Sequence, residues 1–363
     1  MENKLNKRIF YFDVLRAIAI LSVILLHAFS SNKKFVVADY CMMPSMNWFA
    51  TDFVLICLRV GVPLFFILSG ALLLGRDWTI KSFLKKRIPR ISLPMLFWGF
   101  VLSLFMIAMC YIFNLTYINS FSLKSIASYI LNAYLANSPG FYQYWFFWAM
   151  LGVYFIMPIF NKWICNSDLK ELEYFLVIWL VTCLFEFTLG IDFPIKLNYF
   201  VSPIGLVVLG YYLRHTERKF LNNPYISLLM VIGSCLIMMI ISYLLSSPKE
   251  IYVFDQYSIL IAIEAIGLVT LCKNFNKLNV NFNFIKNPQS KFRKLISLIA
   301  EYSYGMFLIH VAFFATLLRI LPYGLLGYKL SLLTFILVGI FVPMILIHLL
   351  NKIPYMNQFT GVK

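Results

Sequence analysis

Ten apolar stretches, each close to the length that crosses a bilayer, dominate this chain. They fall at roughly residues 9–29, 53–74, 91–113, 142–161, 172–190, 198–213, 225–245, 255–272, 296–318 and 330–350. A run of about twenty apolar residues forms a spanning helix because inside lipid a helix satisfies all of its own backbone hydrogen bonds. No segment between the stretches is long enough for a soluble domain. The expectation is therefore one all-α integral membrane domain over residues 1–363, with about ten transmembrane helices. Only 13% of the residues are charged, about half the fraction found in a soluble domain. The first stretch is too long for a cleavable signal peptide and lacks a small-residue cleavage site. The sixth is short and interrupted by Pro203 and Gly205, and a weakly apolar piece at 121–136 reads as a short re-entrant or interfacial helix.

The formal net charge of +16 is explained by topology and does not call for a nucleic-acid partner. With alternating spans, the loops on the N-terminal side of the membrane hold 22 Lys and Arg and the opposite loops hold 7, Arg16 and Arg59 lying within spans. That asymmetry places both termini in the cytoplasm, and the partner it implies is the lipid bilayer. The seven cysteines are scattered without CxxC or metal-ligand spacing, so neither a disulfide framework nor a metal site is expected. There is no P-loop, GxGxxG, GxSxG or HExxH, and the missing P-loop argues against ATP-driven transport.

Function has to come from the few ionisable residues inside the apolar stretches, where each costs roughly 2.5–3.5 kcal/mol on insertion scales. The first stretch carries Arg16 and His27. Eleven positions at about 100° each return to within about 20° of the same helix face, about 16 Å further along the axis. A cation and a titratable imidazole thus line one track, and His27 suits a general base. Asp13, one turn before Arg16, is placed to pair with it. Arg59 opens the second stretch near its outer end, facing the same cavity or snorkelling to the interface. Gly61, Pro63, Ser69 and Gly70 read as helix-packing positions.

Arg87 and Arg90 stand three residues apart at the entrance of the third stretch, around Pro89. Two guanidiniums so placed suit a phosphate or pyrophosphate, and a nucleotide-bearing molecule arriving from the cytoplasm is the natural ligand. Weaker cavity candidates are Trp145 and Tyr154 in the aromatic fourth stretch and Glu301, Ser303, Tyr304 and His310 in the ninth. Glu186, Glu264 and His348 either face the cavity or form satisfied pairs, and His215 belongs to a basic, solvated turn.

Taken in order, these residues resemble the bacterial acyltransferase-3 family of integral-membrane O-acyltransferases. Arg16 and His27 match its R-x10-H pattern, and Arg87 and Arg90 its R-x-x-R. Residues 62–71 (VPLFFILSGA), 144–158 (YWFFWAMLGVYFIMP) and 303–310 (SYGMFLIH) are similar to three further family segments. The chain looks most like the short members without an appended SGNH domain, such as the enterobacterial-common-antigen, O-antigen and capsule acetyltransferases. The resemblance implies a multi-pass protein of the bacterial inner membrane that takes acetyl-CoA as donor on the cytoplasmic side. The acceptor it implies is a carbohydrate hydroxyl on an envelope or surface polysaccharide, lipopolysaccharide included, or on its lipid-linked precursor. In that scheme Arg87 and Arg90 hold the CoA phosphates and Arg16 steadies the donor deeper in. His27 deprotonates the acceptor or briefly carries the acetyl group. Met306-Phe307 departs from the family pattern, which often has a tyrosine there. A transporter of an acyl group or lipid-linked sugar is the alternative, supported by the polar track itself.

Overall fold

A computed structural model describes residues 9–38, 46–118, 120–191, 195, 203–245, 254–278, 287, 289–321 and 326–362. The described chain is helical with no strand among the described residues. Nine segments of it are long and apolar enough to cross a membrane, making this a polytopic all-α membrane protein. The helices are α1 (Phe10–Ala38), α2 (Met46–Cys57), α3 (Gly61–Leu73), α4 (Ile80–Ile112), α5 (Leu123–Tyr134), α6 (Tyr144–Asn166), α7 (Leu169–Thr182), α8 (Ile204–His215), α9 (Pro224–Leu245), α10 (Ile259–Asn274), α11 (Lys291–Ile320), α12 (Gly327–Leu350) and α13 (Asn357–Thr360).

The bundle is built around α1, which packs against α2, α3, α10, α11 and α12. Its Leu15, Ala19, Ile20 and Ile24 are almost completely buried. The outside of the bundle is equally apolar. On α12, Leu333, Leu337, Phe341, Ile345 and Leu349 recur every fourth residue and are all exposed, a stripe that lipid covers and water would not. The α3–α8 pair makes the closest backbone approach. A side chain at Gly70 would run into the Val207 carbonyl, and one at Gly210 into that of Ile67. Glycine at both positions lets the two backbones meet.

Several boundaries differ from the sequence expectation. The second stretch is two helices: the chain leaves α2 at Leu58, turns through Arg59 and Val60, and restarts as α3 at Gly61. The sixth stretch forms the short α8, and its residues 198–202 lie outside the described residues. The piece at 121–136 is a helix, α5, capped by the Ser122 hydroxyl accepting from the Ser125 N–H.

The helices of the third and ninth stretches, α4 and α11, begin well before their apolar runs. Thr79 caps α4 by accepting from the Ser82 N–H, and Ser290 caps α11 by accepting from the Arg293 N–H. Arg87 and Arg90 therefore sit two turns inside α4, not at its entrance. Pro89 is tolerated there because the carbonyl it leaves without a helical donor belongs to the exposed Lys85. After Thr182, α7 widens into a π-helical turn, Cys183–Leu189, ended by Gly190 in the left-handed conformation. Hydropathy carries no signal for that widening.

Candidate active site

His27 and His310 are the two ionisable side chains that the fold brings together in the middle of the bundle. His27 lies on α1 and His310 on α11, with ring centroids 5.3 Å apart and planes inclined at 46°. His310 is fully buried. Its Nδ1 lies 3.0 Å from the Met306 carbonyl oxygen, and a carbonyl only accepts, so Nδ1 carries the proton and Nε2 presents a lone pair. No hydrogen bond reaches that Nε2. His27 is only partly buried, so the pair consists of one enclosed imidazole and one that is partly exposed.

The wall beside the pair is aromatic. The His310 ring meets Phe307 at 6.0 Å and Phe314 at 5.8 Å, both edge-on. Phe307 stacks on Phe146 at 4.7 Å and touches Phe65 at 5.6 Å. This cluster joins α3, α6 and α11 and excludes water from one side of the imidazoles. Arg59, held in the turn between α2 and α3, lies within electrostatic range of His27 and of Asp255.

A second concentration of charge lies toward the N-terminal end of α1. Arg16 is 3.8 Å from Asp13 in an i,i+3 pair, and the buried Asp13 also accepts from the Ser297 hydroxyl at 3.3 Å. On α4 the half-buried Arg87 rests its guanidinium over Trp78, 5.2 Å from the ring centroid, and its buried Nε has no partner. Arg90 is exposed. Arg16, Arg87 and Arg90 all lie within electrostatic range of one residue, Tyr154 on α6. The Tyr154 ring packs edge-on against Phe83 at 5.9 Å. Two motifs some seventy residues apart in sequence thus converge on one phenol.

The remaining candidates are placed elsewhere. Trp145 faces outward at 38% exposure, edge-on to Phe146, and the aromatic wall uses its neighbours Phe146 and Phe147 instead. The Ser303 hydroxyl donates back to the Ala300 carbonyl at 2.8 Å, and the Tyr304 hydroxyl donates to the Ile91 carbonyl at 2.8 Å, tying α11 to α4. Glu301 is half-buried at the same level of α11. Of the polar residues left open by the sequence, His348 meets the Tyr302 hydroxyl at 3.2 Å. Glu264 is 2% exposed with one carboxyl oxygen unpartnered, and Glu186 sits in the π-helical turn.

Gln143 at the start of α6 escaped the sequence reading. It is buried, donates to the Leu308 carbonyl at 3.0 Å and leaves its side-chain oxygen without a partner. A lone amide among aromatics was the one signal available for it.

Two polar centres, one basic and one imidazole, thus lie along α1 inside the helical bundle of a multi-pass membrane protein. The chain belongs to the acyltransferase-3 family: residues 9–352 match its acyltransferase domain, so the protein is a membrane acyltransferase. No curated protein and no solved structure matches the chain.

Proposed function

We propose that this protein is an O-acetyltransferase of the bacterial inner membrane, moving an acetyl group from cytoplasmic acetyl-CoA to a hydroxyl of an envelope polysaccharide or its lipid-linked precursor. The observation that carries this reading is the facing pair His27 and His310, set about 16 Å along α1 from Arg16. That interval is one a long, thin pantetheine arm suits. The three arginines within electrostatic range of Tyr154 match the charge of a diphosphate, and the unpartnered Nε of Arg87 is a donor waiting for such an acceptor.

In the proposed reaction His27 removes the proton from the acceptor hydroxyl as its oxygen attacks the thioester carbonyl. The C–O bond forms, the C–S bond breaks, and the departing CoA thiolate recovers a proton as the free thiol. An acetyl-histidine route makes the same products in two steps. The enclosed His310, its Nε2 without a hydrogen-bond partner and its ring 5.3 Å from that of His27, offers a second basic nitrogen in support of His27.

The deciding experiment compares cells lacking the gene with cells complemented by wild type or by His27→Ala, reading acetyl groups on released glycan by mass spectrometry. Wild type restores acetylation. His27→Ala, at equal membrane abundance, lowers it at least ~100-fold, the scale of a lost general base. Glycan acetylation unchanged by His27→Ala would end this mechanism. Purified wild type that releases no CoA from acetyl-CoA in the presence of acceptor would favour transport over transfer.

A further inference from the structure

Where α8 ends and α9 begins, a cavity of about 640 Å³ is lined by Arg214, His215, Lys219, Lys273 and Lys277, with Glu217 as its one carboxylate among the described residues. It lies at the N-terminal end of α1, because Arg214 rests over the Phe12 ring at 5.6 Å and donates to the Ala71 carbonyl at 2.6 Å. It shares no residue with the Arg16, Arg87 and Arg90 cluster. The chain between α3 and α4 passes between the two: Gly75 abuts the Tyr211 ring of α8, and Arg76 lies in electrostatic range of Arg87.

A loop enriched in lysine to satisfy topology leaves its ammonium groups in open water. Three of these cations, Arg214, Lys273 and Lys277, are instead tied to backbone carbonyls. Lys273 is half-buried, with its ammonium donating to the Leu213 and Thr216 carbonyls at 2.9 and 3.2 Å. Lys277 donates to the Asn222 carbonyl at 3.2 Å. These contacts are to backbone oxygens and not to carboxylates, so they fix position without neutralising charge. Each group keeps donors to spare, since an ammonium has three and a guanidinium five. The neighbouring Arg218 shows the contrast. It grips Glu173 with two hydrogen bonds of 2.8 and 2.6 Å, which raises its pKa above the ordinary guanidinium value, and it does not line the cavity. Carboxylate pairing was available in this region and the cavity was left basic.

The geometry points to a second anion site here, one that takes a phosphate group through Arg214, Lys219, Lys273 and Lys277. The phosphate belongs either to a soluble molecule or to an anionic lipid headgroup, which carry the same chemistry. The inference does not rest on the identity of the acyl donor.

The test uses the full-length protein in phosphatidylcholine nanodiscs, in an Arg87→Gln/Arg90→Gln background so that only the second site is read. Inorganic pyrophosphate is the soluble probe, titrated calorimetrically. Phosphatidylglycerol mixed into the bilayer is the lipid probe, counted as retained lipid by native mass spectrometry. Lys219 and Lys277 are exposed, so Lys219→Gln/Lys277→Gln leaves the packing intact. It is expected to raise the pyrophosphate Kd at least tenfold, or to remove one retained phosphatidylglycerol. Whichever arm responds names the source. Glu217→Gln, which takes away the one lining carboxylate among the described residues, is expected to tighten binding in the same arm, a gain that a misfolded chain does not produce. Binding in neither arm, or binding that the lysine substitutions leave unchanged, overturns the site.

Discussion

The bond from His310 Nδ1 to the Met306 carbonyl decides more about the site than the residue's position does, because it selects one tautomer and leaves Nε2 unprotonated and unpartnered, as the base the proposed reaction calls for. Replacing His310 by Gln keeps a polar side chain of similar reach but removes that base. The expected result is a fall in kcat of about 10²-fold or more with the donor KM nearly unchanged. A rise in KM alone would move His310 to donor binding. Arg87 makes a different prediction. Its guanidinium lies over the Trp78 ring, 5.2 Å from the centroid, and its Nε is unpartnered, so Arg87→Lys keeps the charge but loses the planar fork. The donor KM is expected to rise about tenfold, about one charge-assisted hydrogen bond's worth, with kcat preserved, as read by initial rates over a range of acetyl-CoA. At this scale helical periodicity and local spacing single out Arg16, His27, Arg87 and Arg90 as candidates. The sequence is uninformative about which of the later residues meet them. That His310 meets His27, that Tyr154 comes within electrostatic range of the arginines and that Trp145 turns outward all depend on helix rotation, which one stretch of sequence does not fix.

At the scale of elements, the apolar runs gave the spanning helices and missed what polar residues do at their ends. The amphipathic turns before residue 91 and before residue 296 continue α4 and α11 because Thr79 and Ser290 cap them. A hydropathy reading stops where the charges begin. The break around Arg59 is likewise invisible in the apolar run: α2 ends at Cys57 and α3 restarts at Gly61, carrying Gly70 against α8. The α3–α8 contact is therefore a structural keystone near the site, since α3 also contributes Phe65 to the aromatic wall. Gly70→Ala and Gly210→Ala each force a methyl into an opposing backbone carbonyl. Each is expected to cost on the order of 1–3 kcal/mol. The loss should appear as a lower melting temperature of detergent-solubilised protein, with activity falling in proportion to folded material. By contrast, Gly152 meets nothing within 4 Å of an added Cβ, so Gly152→Ala is the control that leaves melting unchanged.

For the whole molecule, the arginine cluster around Tyr154 and the basic cavity below α8 lie toward the N-terminal end of α1, while Asp255, close to the start of α10, belongs to the opposite end together with Arg59. A negatively charged cytoplasmic donor reaches the arginines only if that end faces inward, which is also the orientation demanded by 22 Lys and Arg on one side against 7 on the other. Charge asymmetry and the proposed chemistry therefore make a single prediction from independent grounds. In a cysteine-free background, Lys277→Cys is expected to resist a membrane-impermeant maleimide in intact cells and to react once the cells are opened. Asp255→Cys, exposed at the other end, is expected to react in intact cells without lysis. The reverse pattern would place the arginines on the outer face, beyond the reach of cytoplasmic acetyl-CoA. The direction of transfer along α1 would then have to be inverted, with an external donor meeting the arginines and the acceptor approaching His27 from within.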